Sequence, residues 1–584
     1  MIVGSSDGRL ARRVTRHRFL REGMLVGLTI GAGALAACSP EPAPLPTTAP
    51  AAKAPAAAPA ATSQAVAAPT VAAQPTAVPA AALPAVAPTA APTTAAVAAG
   101  QPRRGGTLNA AAEVDPVSLV PTSSNFSGLE AYDPVYESLA AYDEKMNIIP
   151  ALAEKWEISE DGMTYTFHLR PNVTFHNGQP LTADDVKYSF EYYLDPKGSN
   201  PWRSWLGPMK EVKVVDPATV QTIMGSPFPP LLGGLAGNRG TAIMPKGFAD
   251  TENVKLKAVG TGPFKLVEYV PLDHISYTRN ASYWNQPLPY LDGMVFKILQ
   301  EESTRLAALE SGQIDYAWLS AQGAAQIADA KGINVLKAPY AWVDSTSVNV
   351  SSPDLTDARV RRALRMSIDT KDSIQKAVLG AAVPSGPVPA GYGDWPIAPD
   401  QLPYLTADLD GAKKLLSDAG HAGGAGINVI IKCSPQYPDF VANATIMKDS
   451  FAKIGVQSSI VQEEWGTFVK DSSAFKYQMG NTAYTFRPDP DGYLYPYFHT
   501  KGVNNAGNYS NPKLDTMLDQ ARTISDHAQR VTLYHQIQEI VLTDCPNFWW
   551  YTKYNIEAVS NKLHGYTQSF TGRRMFLRKA WLEG

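Results

Sequence analysis

Residues 39 to 101 are about two thirds alanine and proline, with Glu41 and Lys53 as their charged side chains. Such a stretch cannot sort an apolar face from a polar one. Burial therefore cannot offset the entropy of ordering it, and the expected state is an extended, partly polyproline-like tether. At about 3.1 Å per residue, roughly sixty residues reach on the order of 150 Å, less where the chain coils. The tract cuts the 584-residue chain into a short leader and a long body. It also holds much of the alanine and many of the 47 prolines, so composition has to be read on either side of it.

The leader carries Arg9, Arg12, Arg13, Arg16, Arg18 and Arg21, followed by an uncharged, almost wholly apolar run from Gly23 to Ala37. A basic region ahead of an apolar run too short to span a bilayer permanently reads as an export signal, residues 1–37. The run ends in Leu35-Ala36-Ala37-Cys38, which resembles the lipobox of bacterial lipoproteins. That resemblance implies that Cys38 is acylated and anchors the chain, with 38–103 as lipidated cysteine plus linker. The alternative is a buried cysteine placed there by chance. Thr15-Arg16-His17-Arg18-Phe19-Leu20-Arg21 resembles the twin-arginine export motif with His17 in place of the second arginine, so Sec and twin-arginine routes both stay open.

The body, 104–584, is long enough for two or three domains with cores of their own. Over the whole chain 51 Lys+Arg stand against 54 Asp+Glu, a net charge of −3, which argues against a nucleic-acid partner held by clustered positive charge. Thr164 to Arg170 alternates apolar with polar and reads as a half-buried strand. Thr182-Ala183-Asp184-Asp185 reads as a helix start, as does Asp357 ahead of Val360, Leu364 and Ile368. Tight-turn sequences such as His176-Asn177-Gly178 and Gly260-Thr261-Gly262-Pro263 are dense. The expectation is a mixed α/β body.

Catalytic signatures are missing. In the body no G-x-x-x-x-G-K-[ST], G-x-S-x-G, H-E-x-x-H or G-x-G-x-x-G occurs. His168 and His176 read as surface or hydrogen-bonded residues rather than metal ligands. Asp489-Pro490-Asp491-Gly492 lacks the later glutamate of a calcium loop and reads as a turn. Cys433 and Cys545 are expected either to pair or to be two separate buried thiols. No metal, cofactor or catalytic residue is expected. Aromatics, by contrast, exceed the needs of a core: Trp342, Trp395, Trp465, Trp549 and Trp550, and Tyr484, Phe486, Tyr493, Tyr495, Tyr497 and Phe498 within one short stretch. They suit either packing or a cleft that stacks on a flat or extended ligand.

Gly105-Gly106-Thr107-Leu108, Tyr136-Glu137-Ser138-Leu139, Pro150 to Trp156, Phe175-His176-Asn177-Gly178, Ala183-Asp184-Asp185-Val186, Gly260 to Phe264, Tyr283-Trp284, Gly312-Gln313-Ile314-Asp315, Val360 to Leu364 and Asp489-Pro490 follow one another along the body. In this order they resemble the family 5 extracellular solute-binding proteins, which include the oligopeptide- and dipeptide-binding proteins of ABC importers. The resemblance implies a periplasmic-binding-protein type II clamshell of two lobes plus a smaller extra domain. Domain I would comprise 104–136, 259–347 and 553–584, domain II 137–258, and domain III 348–552. It further implies capture of a small solute outside the cytoplasmic membrane and delivery to a separate permease and ATPase.

In the peptide-binding members an aspartate three positions before the Asp-Pro pair accepts the peptide ammonium. Counting back from Asp489 reaches Phe486, and the tryptophan usual three positions earlier is Ala483. A phenyl ring cannot replace a charge-assisted bond worth roughly 1.5–3 kcal/mol. Arg487 beside it favours an anionic or hydroxylated ligand, or is a solvated turn arginine. By resemblance, Thr482, Ala483 and Tyr484 form the strand that pairs with an extended ligand. Trp465 and Asn349 are further cleft candidates, as is Glu130, which ends the loop Ser127 to Glu130 on one wall of the family's cleft and is the candidate substitute acid. The solute is expected to be a peptide or peptide-like molecule, with an oligosaccharide or other non-peptide as the alternative. A surface hydrolase using Asp489 and Asp491, or a ligand sensor, are the competing classes.

Overall fold

The computed structural model divides the chain into two units, Met1–Pro88 and Thr89–Gly584. It describes residues 101–120, 129–198, 200 and 202–583, all within the second unit. The export segment, Cys38 and the linker up to residue 100 lie outside the described residues.

The body is organised by one eleven-stranded mixed sheet. Its strands in chain order are β1 (Thr107–Ala112), β2 (Phe264–Val270), β3 (His274–Arg279), β4 (Gly293–Ile298), β5 (Tyr316–Trp318), β6 (Ile333–Val348), β7 (Ala382–Pro384), β8 (Asn428–Cys433), β9 (Gln457–Gln462), β10 (Met479–Thr485) and β11 (Asn547–Ser560). Their spatial order is β9-β8-β10-β6-β11-β5-β1-β4-β3-β2, with β7 also on β11. β6 and β11, of 16 and 14 residues, pair antiparallel from Ile333↔Ser560 to Ser347↔Asn547 and carry the sheet from one half to the other. The register of that pair shifts between Pro339 and Val343 and again between Asp344 and Ser345. Such irregularities bend a strand locally.

β1 runs parallel to β4 and β5 on one side, and β8 runs parallel to β9 and β10 on the other. Parallel strands need crossover connections, which puts helices on the sheet faces. Two of these are α2 (Ala358–Met366), which buries Val360 and Leu364 and is capped by Asp357 accepting from the Arg359 N–H at 2.7 Å, and α3 (Pro438–Lys453). A separate antiparallel sheet takes the order 153–158, 164–169, 219–224, 209–216. In it Tyr165, Phe167 and Leu169 are buried while Thr164, Thr166 and His168 are half-buried, the alternation read from the sequence. The helix α1 (Ala183–Leu194) packs beside this sheet and begins where Asp185 accepts from both the N–H and the hydroxyl of Thr182, each at 2.8 Å.

The tetrapeptides that carry the family resemblance bind one another. The buried Glu137 carboxylate accepts from the Thr261 hydroxyl (2.9 Å), the Tyr283 hydroxyl (2.7 Å) and the Trp284 indole (2.8 Å). A Cβ on Gly260 would stand 2.1 Å from the Val135 carbonyl oxygen, so no larger residue fits that crossing. Asp315 accepts from the Asn109 N–H at 3.0 Å and pins β1. Arg361 spends its guanidinium on the carbonyls of Leu355, Thr356, Asp544 and Cys545. Cys433 and Cys545 are two separate buried thiols.

Candidate ligand-binding cleft

Open α/β sheets bind ligands beyond the carboxyl ends of their strands, where the helices and loops diverge. Two chambers lie there. The first forms at the carboxyl half of β10. β8 pairs with β10 only at Met479 and Gly480, so beyond Gly480 that edge of β10 has no strand partner among the described residues. Thr482, Ala483 and Tyr484 line the chamber of about 440 Å³ that the edge faces. Trp465, at the start of α4 (Trp465–Ser473), stands in the same wall. The mouth is apolar and exposed, with Val469, Phe475 and Val503 at 43%, 47% and 90% exposure. Tyr484 is fixed from below by Tyr497 and Trp549, ring centroids 4.5 and 5.1 Å away, and by the Asn547 amide at 3.2 Å.

The second chamber, about 460 Å³, lies beyond the carboxyl ends of β1, β5 and β8. Glu113 follows β1, Gln322 follows β5, and Tyr437 and Asp439 open α3. Its floor is the crossing pair, through Tyr340 and Trp342 of β6 and Lys553 of β11. Lys553 forms an ion pair with Asp439 and lies 3.6 Å from the fully buried Asp344. Trp342 donates its indole N–H to Asp344 at 2.8 Å. Burial pushes the Asp344 carboxyl well above the ordinary range against the pull of Lys553, with Asp439 adding to the rise. Burial also opposes ionisation of Asp439, but Lys553 and the hydrogen bonds to its carboxylate outweigh it and hold that carboxyl low. The Tyr437 and Trp465 rings meet edge to face at 5.5 Å, one from each chamber, so the two spaces share an aromatic partition.

The other sequence candidates lie away from these walls. Phe486 is fully buried, its ring between Tyr142 (6.2 Å), Trp205 (5.8 Å) and Tyr392 (6.1 Å). Arg487 turns back on its own turn, donating to the Thr485 and Phe486 carbonyls and to the hydroxyl of Tyr497, which lines the first chamber. Asp489 takes both bonds of a bidentate pair with the buried Arg530 at 2.7 and 2.9 Å. Asn349 donates to the Phe475 and Tyr477 carbonyls and ties down the segment before β10. Glu130 falls in the short helix Leu129–Tyr132, and its side chain, like the loop before it, lies outside the described residues. Tyr493 is taken up in packing, and Tyr495 lies against Arg522 and His499. Asp491 opens the helix Asp491–Phe498 and pairs with Arg522 at 3.1 Å, away from both chambers.

Sequence reasoning missed the second chamber apart from Trp342. Its residues come from segments more than four hundred positions apart, with no local pattern joining them. The one available signal was position: Glu113 and Asp439 each follow closely on a strand whose carboxyl end opens the cleft.

Comparison with known proteins agrees with this architecture. A family described as "Bacterial extracellular solute-binding proteins, family 5 Middle" matches residues 147–505. The chain is 32% identical over 480 residues to the dipeptide-binding protein of Escherichia coli (strain K12), covering 76% of this chain and 88% of that protein. The structure of HbpA2 from Haemophilus parasuis superposes with a TM-score of 0.75 at 28% identity, over 82% of this chain and 100% of that one. DppA from Helicobacter pylori in complex with peptide STSA gives a TM-score of 0.66, also at 28% identity, over 82% and 99%.

Proposed function

Since the chain belongs to family 5 of the bacterial extracellular solute-binding proteins, we propose that it captures a peptide or peptide-like solute outside the cytoplasmic membrane and hands it to an ABC permease. The open edge of β10 carries this reading. Thr482 to Tyr484 present backbone donors and acceptors to a chamber of about 440 Å³, the arrangement by which an extended chain adds itself to a sheet. Main-chain pairing is indifferent to side chains, which suits a receptor for varied peptides, while Trp465 and the apolar mouth favour a large apolar side chain.

The body works as two lobes joined by β6 and β11, with domain I as 104–136, 259–347 and 553–584, domain II as 137–258, and domain III as 348–552. The distribution of strands on either side of the crossing pair supports this division. Cys38 carries the lipid anchor, and the alanine-proline tract lets the body sample space above the membrane while keeping it concentrated there. Replacing Cys38 with serine is expected to move the protein from the membrane fraction to the soluble fraction; continued membrane association would remove the anchor from this account.

The test of the main reading is calorimetric titration of the full chain with di- to pentapeptides and with oligosaccharides, each mixture then checked by mass spectrometry for turnover. Peptide binding without cleavage is the expected result. Binding of sugars alone transfers the site to the alternative solute class, and cleavage products make the protein a hydrolase.

A further inference from the structure

The partition between the two chambers is a product of sheet register. β8 and β9 run parallel and end side by side, Cys433 opposite Gln462. The helices that follow them, α3 and α4, therefore begin side by side, each with a large ring at its start: Tyr437 immediately before α3 and Trp465 as the first residue of α4. Two buried rings hold these from the core side, Phe440 at 4.8 Å from Tyr437 and Phe468 at 5.5 Å from Trp465, centroid to centroid. Trp342 extends the row into the second chamber, 6.5 Å from Tyr437. No residue lines both chambers, and the contact of Tyr437 with Trp465 stands between them. These two rings differ from others in the first chamber. Tyr484, Tyr497 and Tyr509 have their hydroxyls engaged by Asn547, Arg487 and Asp544. Tyr437 and Trp465 are half-buried, and among the described residues neither the hydroxyl of the one nor the indole N–H of the other has a hydrogen-bond partner. Ring packing alone positions them.

We propose that Tyr437 and Trp465 are the length-determining residues of the cleft: their rings close the β10 chamber at one end and confine the solute to it. This rests on the reading of the β10 chamber as the solute site and names the length class that site selects, short peptides. A space of about 440 Å³ is roughly 8 Å across if equal in all directions, about two residues of extended chain at about 3.3–3.6 Å each. A longer solute reaches the second chamber, of about 460 Å³, only by displacing one of the rings, which gives up its packing on Phe440 or Phe468. Either chamber alone lies near the low end of the roughly 300–1,000 Å³ typical of small-molecule sites, and the two joined would lie near the top.

The test is calorimetric titration of the full chain with alanine peptides of two, three, four and six residues, each carrying one phenylalanine, alongside the variants Trp465→Ala, Tyr437→Ala and Trp465→Phe. In the unsubstituted protein, affinity is expected to fall about tenfold or more from the shortest peptides to the longest. Trp465→Ala and Tyr437→Ala each remove one leaf of the divider and should bring the longest peptides to within about twofold of the shortest. Trp465→Phe, which retains a ring, should keep the length limit. Melting of each variant is recorded, and Tyr437→Ala carries the test if Trp465→Ala does not fold. Equal affinity for all lengths in the unsubstituted protein, as for a peptide growing out through the apolar mouth, overturns the proposal. So does a length limit that survives both alanine variants, or an equal weakening of every length, which would make the rings contacts rather than a limit. Those results spare the proposed function, whereas silence with every peptide would sink the function and this inference together.

Discussion

Phe486 has no exposed surface and touches rings from three distant segments, Tyr142, Trp205 and Tyr392. Truncating a buried ring of this kind costs the transfer energy of its carbons plus a cavity, about 3–5 kcal/mol. Phe486→Ala is therefore expected to lower unfolding free energy by about 3 kcal/mol in urea melts, and a change below about 1 kcal/mol would mean that the ring is not the packing unit described. His176 makes a second residue-level case. Its Nε2 donates to the Gly262 carbonyl at 2.9 Å, and burial, only partly offset by that bond, depresses its pKa from 6.5 to about 4. Between those values the unfolded chain takes up a proton that the folded one refuses, so stability falls as pH drops from about 6.5 to about 4 and is level above and below. The whole effect is up to about 3 kcal/mol. His176→Gln should flatten that slope; an unchanged pH profile would assign the slope to other groups.

At the scale of elements, the critical one is β10, paired with β6 along its length and with β8 only at its start. Successive N–H groups of a strand point to opposite edges, so of Thr482 and Ala483 one donates toward β6 and the other toward the chamber. Proline at the chamber-facing position should remove peptide binding with little change in Tm, while proline at the neighbouring position should break the ladder and lower Tm. Equal behaviour of the two variants would dissociate binding from the strand edge. Much of the element pattern was legible beforehand. One run, Asp489-Pro490-Asp491-Gly492, read as a turn, instead leads into the helix Asp491–Phe498. The alternation of Thr164 to Leu169 and the Asp185 capping of the helix at Ala183 do follow from local chemistry. So does the family resemblance, because its motif residues Glu137, Thr261, Tyr283, Trp284 and Asp315 hold the framework. The cleft walls were less legible for the same reason. Tyr340, Tyr437, Asp439 and Lys553 meet only through tertiary folding, and nothing in their own segments distinguishes them from surface residues.

At the scale of the whole molecule, segments far apart in the sequence come into close contact around Tyr142, outside the chambers. The Tyr142 hydroxyl lies 2.9 Å from the Pro488 carbonyl oxygen and 3.2 Å from that of Gly233, and a Cβ on Gly233 would stand 2.2 Å from the Pro488 oxygen. Gly233→Ala should force these surfaces apart. The expected outcome is a larger ligand-free radius of gyration in small-angle scattering and weaker solute binding, and an unaltered radius would show that the contact does not limit closure. The feature with the widest reach is the pair of register shifts in β6, between Pro339 and Val343 and between Asp344 and Ser345. They bracket Tyr340, Trp342 and Asp344, the residues on which the second chamber rests. Cleft lining and the irregularities that bend the central strand thus occupy the same few positions, so a lineage that altered these side chains would reshape the cavity and retune the resting bend of the strand in the same step.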